Sequence, residues 1–110
     1  MPRFTNWRPL TERARDYNCP CVYELGMRRG RGRIWPVYTG ESGNGKGRIN
    51  AYASGGSHKR SEIYEAESEG YEIFFRLRAV PSKEHAKRSQ DAVLARRGSS
   101  FPWNRNGIRR

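Results

Sequence analysis

Between Gly70 and Pro81 the chain alternates with a period of two. Ile73, Phe75, Leu77 and Ala79 fall on one parity, and Glu72, Phe74, Arg76 and Arg78 on the other. Successive side chains of an extended strand leave opposite faces, so this pattern predicts a strand over Tyr71–Val80 with one apolar face turned to a core. Pro81 stops it, because proline cannot donate to a sheet ladder. A strand of this kind needs partner strands and a covering layer.

Val22–Leu25 alternates apolar and polar residues, and Ile34–Thr39 is β-branched and aromatic, so the two predict a hairpin. Its loop is expected over Gly26–Arg33, with three glycines and four arginines. Glu41–Gly47 reads as a turn-rich segment and Arg48–Tyr52 as a short helix stopped near Gly55 and Gly56. His58–Ser68 predicts a second helix, with Ser57 as N-cap, Ile63 and Ala66 facing inward and Glu62, Glu65 and Glu69 facing water. After the long strand, Ser82 caps a last helix carrying Ala86, Ala92, Val93 and Leu94 as far as Gly98, and Phe101–Asn104 returns toward the sheet. The order is strand, strand, helix, helix, strand, helix: an α+β fold in which helices flank a small three-stranded antiparallel sheet. At 110 residues this is one domain, 1–110, with residues 1–20 as a basic N-terminal arm or short helical lead-in.

Composition selects the partner. The formal charge is +11, from 22 basic and 11 acidic side chains, and a polyanion releases condensed counterions when such a surface neutralises it. The charge is uneven: residues 61–81 hold five acidic groups against two basic, while both flanking stretches are strongly basic. Nucleic acid is therefore the expected partner, bound by one side of the domain. No apolar run approaches the roughly 20 residues of a membrane span, and the basic N-terminus lacks the apolar stretch of a signal peptide, so a soluble, cytoplasmic protein is expected. Cys19 and Cys21, one residue apart, read as free thiols, since a disulfide that tight is strained. His58 and His85 do not stand at zinc-finger spacing from them.

Several residues can carry chemistry. Tyr23 and Tyr38 occupy matching points of the predicted hairpin, so their hydroxyls can converge on one pocket. Taken singly, each is an ordinary strand aromatic. Arg48 and Tyr52, four residues apart, share a helix face, and a guanidinium fork fits phosphate oxygens. Arg28, Arg29, Arg31 and Arg33 in the hairpin loop are candidates for the nucleic-acid backbone, as are Lys46 in the turn-rich segment and His58 and Lys59 after Gly55-Gly56-Ser57. A solvated surface accounts for each of these equally well.

The set Cys21-Val22-Tyr23, Val37-Tyr38-Thr39-Gly40, Arg48 and Tyr52 resembles the GIY-YIG nuclease family. Cys-Val-Tyr stands where Gly-Ile-Tyr is usual, and the likeness covers Pro20–Asn104. It implies an endonuclease that hydrolyses DNA phosphodiesters with one Mg²⁺ or Mn²⁺ ion, leaving 5′-phosphate and 3′-hydroxyl ends. In those terms Tyr23 is the general-base candidate with Tyr38 in support, Arg48 stabilises the transition state, Tyr52 holds a position where relatives carry His or Tyr, and Asn104 matches a late asparagine. A bacterial or phage, restriction-enzyme-like setting is implied as well.

The resemblance also implies a metal-binding glutamate on the last helix. Aligning Pro102-Trp103-Asn104 and Ala92-Val93-Leu94 puts Gln90 there. A glutamine carbonyl brings no charge and holds a hard cation more weakly. Gln90 is then either an engineered replacement that traps an uncut complex or a natural residue of a member that binds without cutting. Asp91 points about 100° away from Gln90 and Glu84 lies almost two turns earlier, so neither replaces it. The alternative to a nuclease is a non-catalytic nucleic-acid-binding module. Few elements are available for reading bases, so sequence-specific cutting of both strands would require a homodimer.

Overall fold

The structure is a computed structural model and describes residues 3–97 and 101–104. The fold is α+β as expected, and the antiparallel sheet has four strands. The addition is β1 (Arg8–Pro9), followed by a single 3-10 turn at Leu10–Glu12. The expected strands are β2 (Cys21–Arg29), β3 (Trp35–Ser42) and β4 (Tyr71–Ala79), in spatial order β1-β4-β2-β3. The N-terminal arm is thus drawn into the sheet. Thr5 and Leu77 exchange two hydrogen bonds, Thr5 N–H to the Leu77 carbonyl at 2.8 Å and Leu77 N–H to Thr5 Oγ1 at 3.1 Å, and Arg8 pairs with Phe75.

The two parities of β4 are covered by different means. Ile73, Phe75 and Leu77 are buried in the main core with Tyr23 and Leu25 of β2 and with Ile49, Tyr52, Ile63 and Ala66 from the helices. The polar parity is roofed by the arm. The Arg76 guanidinium lies 4.8 Å from the Phe4 ring centre and 4.3 Å from that of Trp7, Arg78 lies 5.2 Å from Phe4, and Arg28 lies 4.9 Å from Phe74. Such stacks let arginine bury its stem and plane against aromatic surface. Arg76 also donates through Nε and Nη2 to the buried Glu24, its cross-strand partner on β2, at 2.9 and 2.6 Å.

The hairpin corrects one boundary. β2 runs to Arg29 because β4 continues to offer partners, Glu72 to Arg28 and Tyr71 to Arg29, so Arg28 and Arg29 stand on a strand and only Arg31 and Arg33 remain in the loop. Gly26 is accordingly not a turn residue. It lies at a register shift, where a Cβ would come within 2.8 Å of Ile34 and 3.0 Å of Trp7.

Helix α1 (Gly45–Ala53) begins three residues before the expected start. Its first turn is capped from three directions: Asn44 Oδ1 accepts from Gly47 N–H, and the carbonyls of Cys19 and Tyr17 accept from Gly45 and Lys46. Gly45 is required there by space, since a Cβ would sit 2.6 Å from Cys21 Sγ. Helix α2 (Arg60–Ser68) buries Ile63 and Ala66, and Ser57 Oγ accepts from Lys59 N–H in the turn leading into it. Helix α3 (Lys83–Arg97) packs on β3 and β2, and Ser82 Oγ accepts from His85 N–H as its cap. Its predicted stop at Gly98 lies outside the described residues. None of the described helices is long and apolar enough to cross a membrane.

Candidate active site

β2 and β3 place Tyr23 and Tyr38 side by side, α1 brings Tyr52 and Arg48 across them, and the turn before α2 adds His58. The sheet pleat puts Tyr23 opposite Gly40 and Tyr38 opposite Leu25, so both phenols rise from the helix-covered face. Gly40 leaves room for the first of them. A Cβ on Gly40 would lie 2.4 Å from both Cζ and Oη of Tyr23.

The Tyr23 and Tyr52 hydroxyls share a 2.6 Å hydrogen bond in the interior. Tyr38 Oη lies 3.2 Å from His58 Nε2, and the His58 ring centre stands 5.8 Å from that of Tyr38 and 6.2 Å from that of Tyr52. The Tyr23 ring is 6.1 Å from Tyr38 and 5.7 Å from Tyr52. Four rings therefore surround one small volume, and the exposed Arg48 lies beside the Tyr23 hydroxyl at its mouth.

The electrostatics follow from burial. All three phenols are pushed above the usual tyrosine range, chiefly because the interior disfavours a phenolate. For Tyr23 this is opposed by its hydrogen bonds to Tyr52 and Arg48 and by the Arg48 charge. For Tyr38 and Tyr52 the neighbouring Tyr23 adds to the rise. Desolvation alone would lower Arg48, yet its hydrogen bond to Tyr23 and the surrounding phenols raise it, so it stays charged. His58 is lowered, first by desolvation and then by the cations Lys59 and Arg48, and is a neutral imidazole near pH 7. Cys21, beneath the start of α1, has its thiol pushed up to about 12 by burial and by Cys19, whose Sγ is 4.0 Å away.

On the outer side of β3, Gln90 and Asn104 meet at one residue. Asn104 Oδ1 accepts from Thr39 N–H at 2.8 Å, Asn104 Nδ2 donates to the Thr39 carbonyl at 2.9 Å, and Gln90 Nε2 donates to the same carbonyl at 3.1 Å. Both side chains thus bind the backbone between Tyr38 and Gly40. Asp91 is instead in a surface pair with Lys87 at 3.9 Å.

The sequence model of the family described as GIY-YIG domain-containing protein matches residues 8–110. The chain belongs to the GIY-YIG family. No curated protein and no solved structure matches it. GIY-YIG domains are generally nucleases, and the match takes in every strand and helix described above together with the Phe101–Asn104 segment.

Within this GIY-YIG chain the candidate residues are not all gathered in one place. Tyr23, Tyr38, Tyr52 and Arg48 come together, and His58, expected only as a backbone contact, joins them through Tyr38. Gln90 and Asn104 stand one residue away along β3. Lys59 is not at the surface: it is 4% exposed, with Nζ donating to the Trp103 carbonyl at 2.8 Å and lying 5.2 Å from the Tyr38 ring centre. Lys46 is half-buried in the first turn of α1, and Arg31 and Arg33 are exposed on the hairpin loop. Sequence reasoning had no signal for His58 beyond its position after Gly55-Gly56-Ser57, because Tyr38, its hydrogen-bond partner, comes from a strand twenty residues away.

A divalent ion is the cofactor expected of such a nuclease, and the donors here do not fit one well. Among the described residues no three His, Cys, Asp or Glu side chains gather. Gln90 offers a neutral oxygen, and Asn104 Oδ1 is already committed to Thr39 N–H. Mg²⁺ and Mn²⁺ are held by charged or fully available oxygen ligands, so this set binds either weakly.

Proposed function

We propose that this chain is the nuclease domain of a DNA endonuclease whose phosphodiester hydrolysis is impaired by glutamine at position 90. The observation that carries the reading is the cluster of Tyr23, Tyr52, Tyr38 and His58 hydroxyl and imidazole groups beside one permanent cation, Arg48. Phosphodiester hydrolysis needs a proton acceptor for water and positive charge at the phosphorus, and this group contains both. In the reading, Tyr23 or Tyr38 orients the attacking water, and Tyr38 takes its proton as the Tyr38 proton passes to His58. Burial keeps both phenols protonated beforehand, so a proton must leave as another arrives. Tyr38 has an outlet, since neutral His58 in the tautomer protonated on Nδ1 accepts from it through Nε2. Arg48 binds the nonbridging oxygens and stabilises the charge that gathers on them.

No step is assigned to a metal in this chain, because Gln90 supplies no charge. A glutamate there would provide the carboxylate that Mg²⁺ or Mn²⁺ requires. The deciding experiment is plasmid cleavage in Mg²⁺ or Mn²⁺ by this chain and by Gln90→Glu side by side. Nicked or linear product only from Gln90→Glu supports the reading, and adding Arg48→Ala should then lower the rate by about 10²–10³-fold.

A second reading is a nucleic-acid-binding module that does not cut. It is favoured by the Gln90 Nε2 hydrogen bond to the Thr39 carbonyl, which a carboxylate cannot make. If neither protein cuts while both bind DNA, this second reading takes over.

A further inference from the structure

Trp35 is 55% exposed, an unusual state for an indole, and folding does not account for it. It opens β3 directly opposite Met27, which packs against the helix-covered core. Residues paired directly across two strands project from the same face, so Trp35 stands on the face that carries the tyrosines. It stands three positions before Tyr38, at most roughly 10 Å along the strand. The Arg33 guanidinium lies 4.6 Å from its ring centre. From Gly26 to Trp35 the chain has four arginines and no acidic residue.

A stacked arginine is held flat, with its N–H edge free for a phosphate, while the rest of an exposed indole offers a π-surface to another planar group. Bases in a continuous duplex hide their faces against one another. Unpaired bases present them, and aromatic residues beside basic ones are the usual means of holding single strands.

We propose that Trp35 and Arg33 form a stacking platform for an unpaired base of the substrate, a short distance along the strand from the phosphate held at Arg48, with Arg31 and Arg33 on the flanking phosphates. This rests on the nucleic-acid reading above and narrows it to substrates with an unpaired segment beside the cut, such as an end, a flap or a gap. A continuous duplex would touch only the arginines.

The test is binding without metal, in EDTA, of the full chain to a dye-labelled single-stranded oligonucleotide and to a duplex of the same length. Cleavage plays no part in the readout, so failure of Gln90→Glu to cut leaves this proposal standing and failure here leaves the cleavage assay untouched. Trp35→Ala should weaken single-strand binding by roughly 5–150-fold, the usual cost of losing one stacked base, and change duplex binding by less than about twofold. Single-stranded DNA should quench the tryptophan emission of the parent protein. Trp35→Phe should lose that quench while keeping most of the affinity, since a ring remains. Trp35→Ala binding the single strand as the parent does overturns the proposal. So does an equal loss on single strand and duplex, or a quench that survives in Trp35→Phe. Unchanged urea midpoints for both variants confirm that the effect is local.

Discussion

Adding one methyl group at Gly40 should damage both stability and the site, and the structure sets the size of the effect. Its φ does not lie in the left-handed region, so Gly40→Ala strains no backbone and the cost is purely one of space. The new Cβ would stand 2.4 Å from Tyr23 Oη and Cζ, about 1 Å inside an ordinary 3.4 Å contact. Tyr23 is fully buried, so its ring cannot swing to solvent and must slide toward Tyr52 or away from it. Overpacking of this kind costs about 1–3 kcal/mol. A 1 Å slide also breaks the 2.6 Å Tyr23–Tyr52 bond, for about another 1 kcal/mol. The expected total is about 2–4 kcal/mol, read as a lower urea midpoint at constant slope. A double-mutant cycle isolates the second part: in a Tyr52→Phe background, where that bond is already gone, Gly40→Ala should cost about 1 kcal/mol less. A Gly40→Ala protein within 0.5 kcal/mol of the parent, or a cost identical in both backgrounds, would refute the packing argument. In the Gln90→Glu protein, Gly40→Ala should also cut the cleavage rate by about 10²-fold, since a 1 Å misplacement is enough.

Two further outcomes follow from the same site. His58 has its folded-state pKa held below the ordinary 6.5, so the unfolded chain binds more protons as the pH drops. Its contribution to stability is present above pH 6.5 and lost as the pH falls through its lowered folded value. Urea midpoints measured from pH 7.5 to 5 should decline, and His58→Ala should flatten that slope. Lys59→Met keeps the buried stem but leaves the Trp103 carbonyl without its 2.8 Å donor, and should cost about 1–3 kcal/mol in the same measurement.

The parts of this fold that were legible in sequence are those set by local periodicity. The alternation in β4, the hairpin, the inward Ile63 and Ala66 of α2 and the Ser82 cap each depend on residues a few positions apart. What escaped depends on distant contacts. β1 is two residues, one of them proline, and has no pattern of its own; it is a strand because β4 lacked a neighbour on that side. The start of α1 read as a turn because Gly45 and Gly47 disguise a helix whose first N–H groups are satisfied by Cys19 and Tyr17. Lys59 looked like surface until the Trp103 carbonyl came to meet it. The tyrosines and Arg48 stood out through their likeness to the GIY-YIG family, whereas His58 enters through a turn.

The bond between Asn104 and Thr39 bears on solubility. β3 is the terminal strand of the sheet, and its outward N–H and C=O groups form a template on which a second chain could add a strand. The Asn104 amide sets one of its N–H donors and its carbonyl oxygen in the arrangement of a backbone peptide unit, and it occupies both groups of Thr39 at the middle of that strand. Asn104, with Gln90 on the same carbonyl, thus interrupts the template where intermolecular sheet growth would begin. Asn104→Ala should therefore leave a protein that folds but self-associates at high concentration.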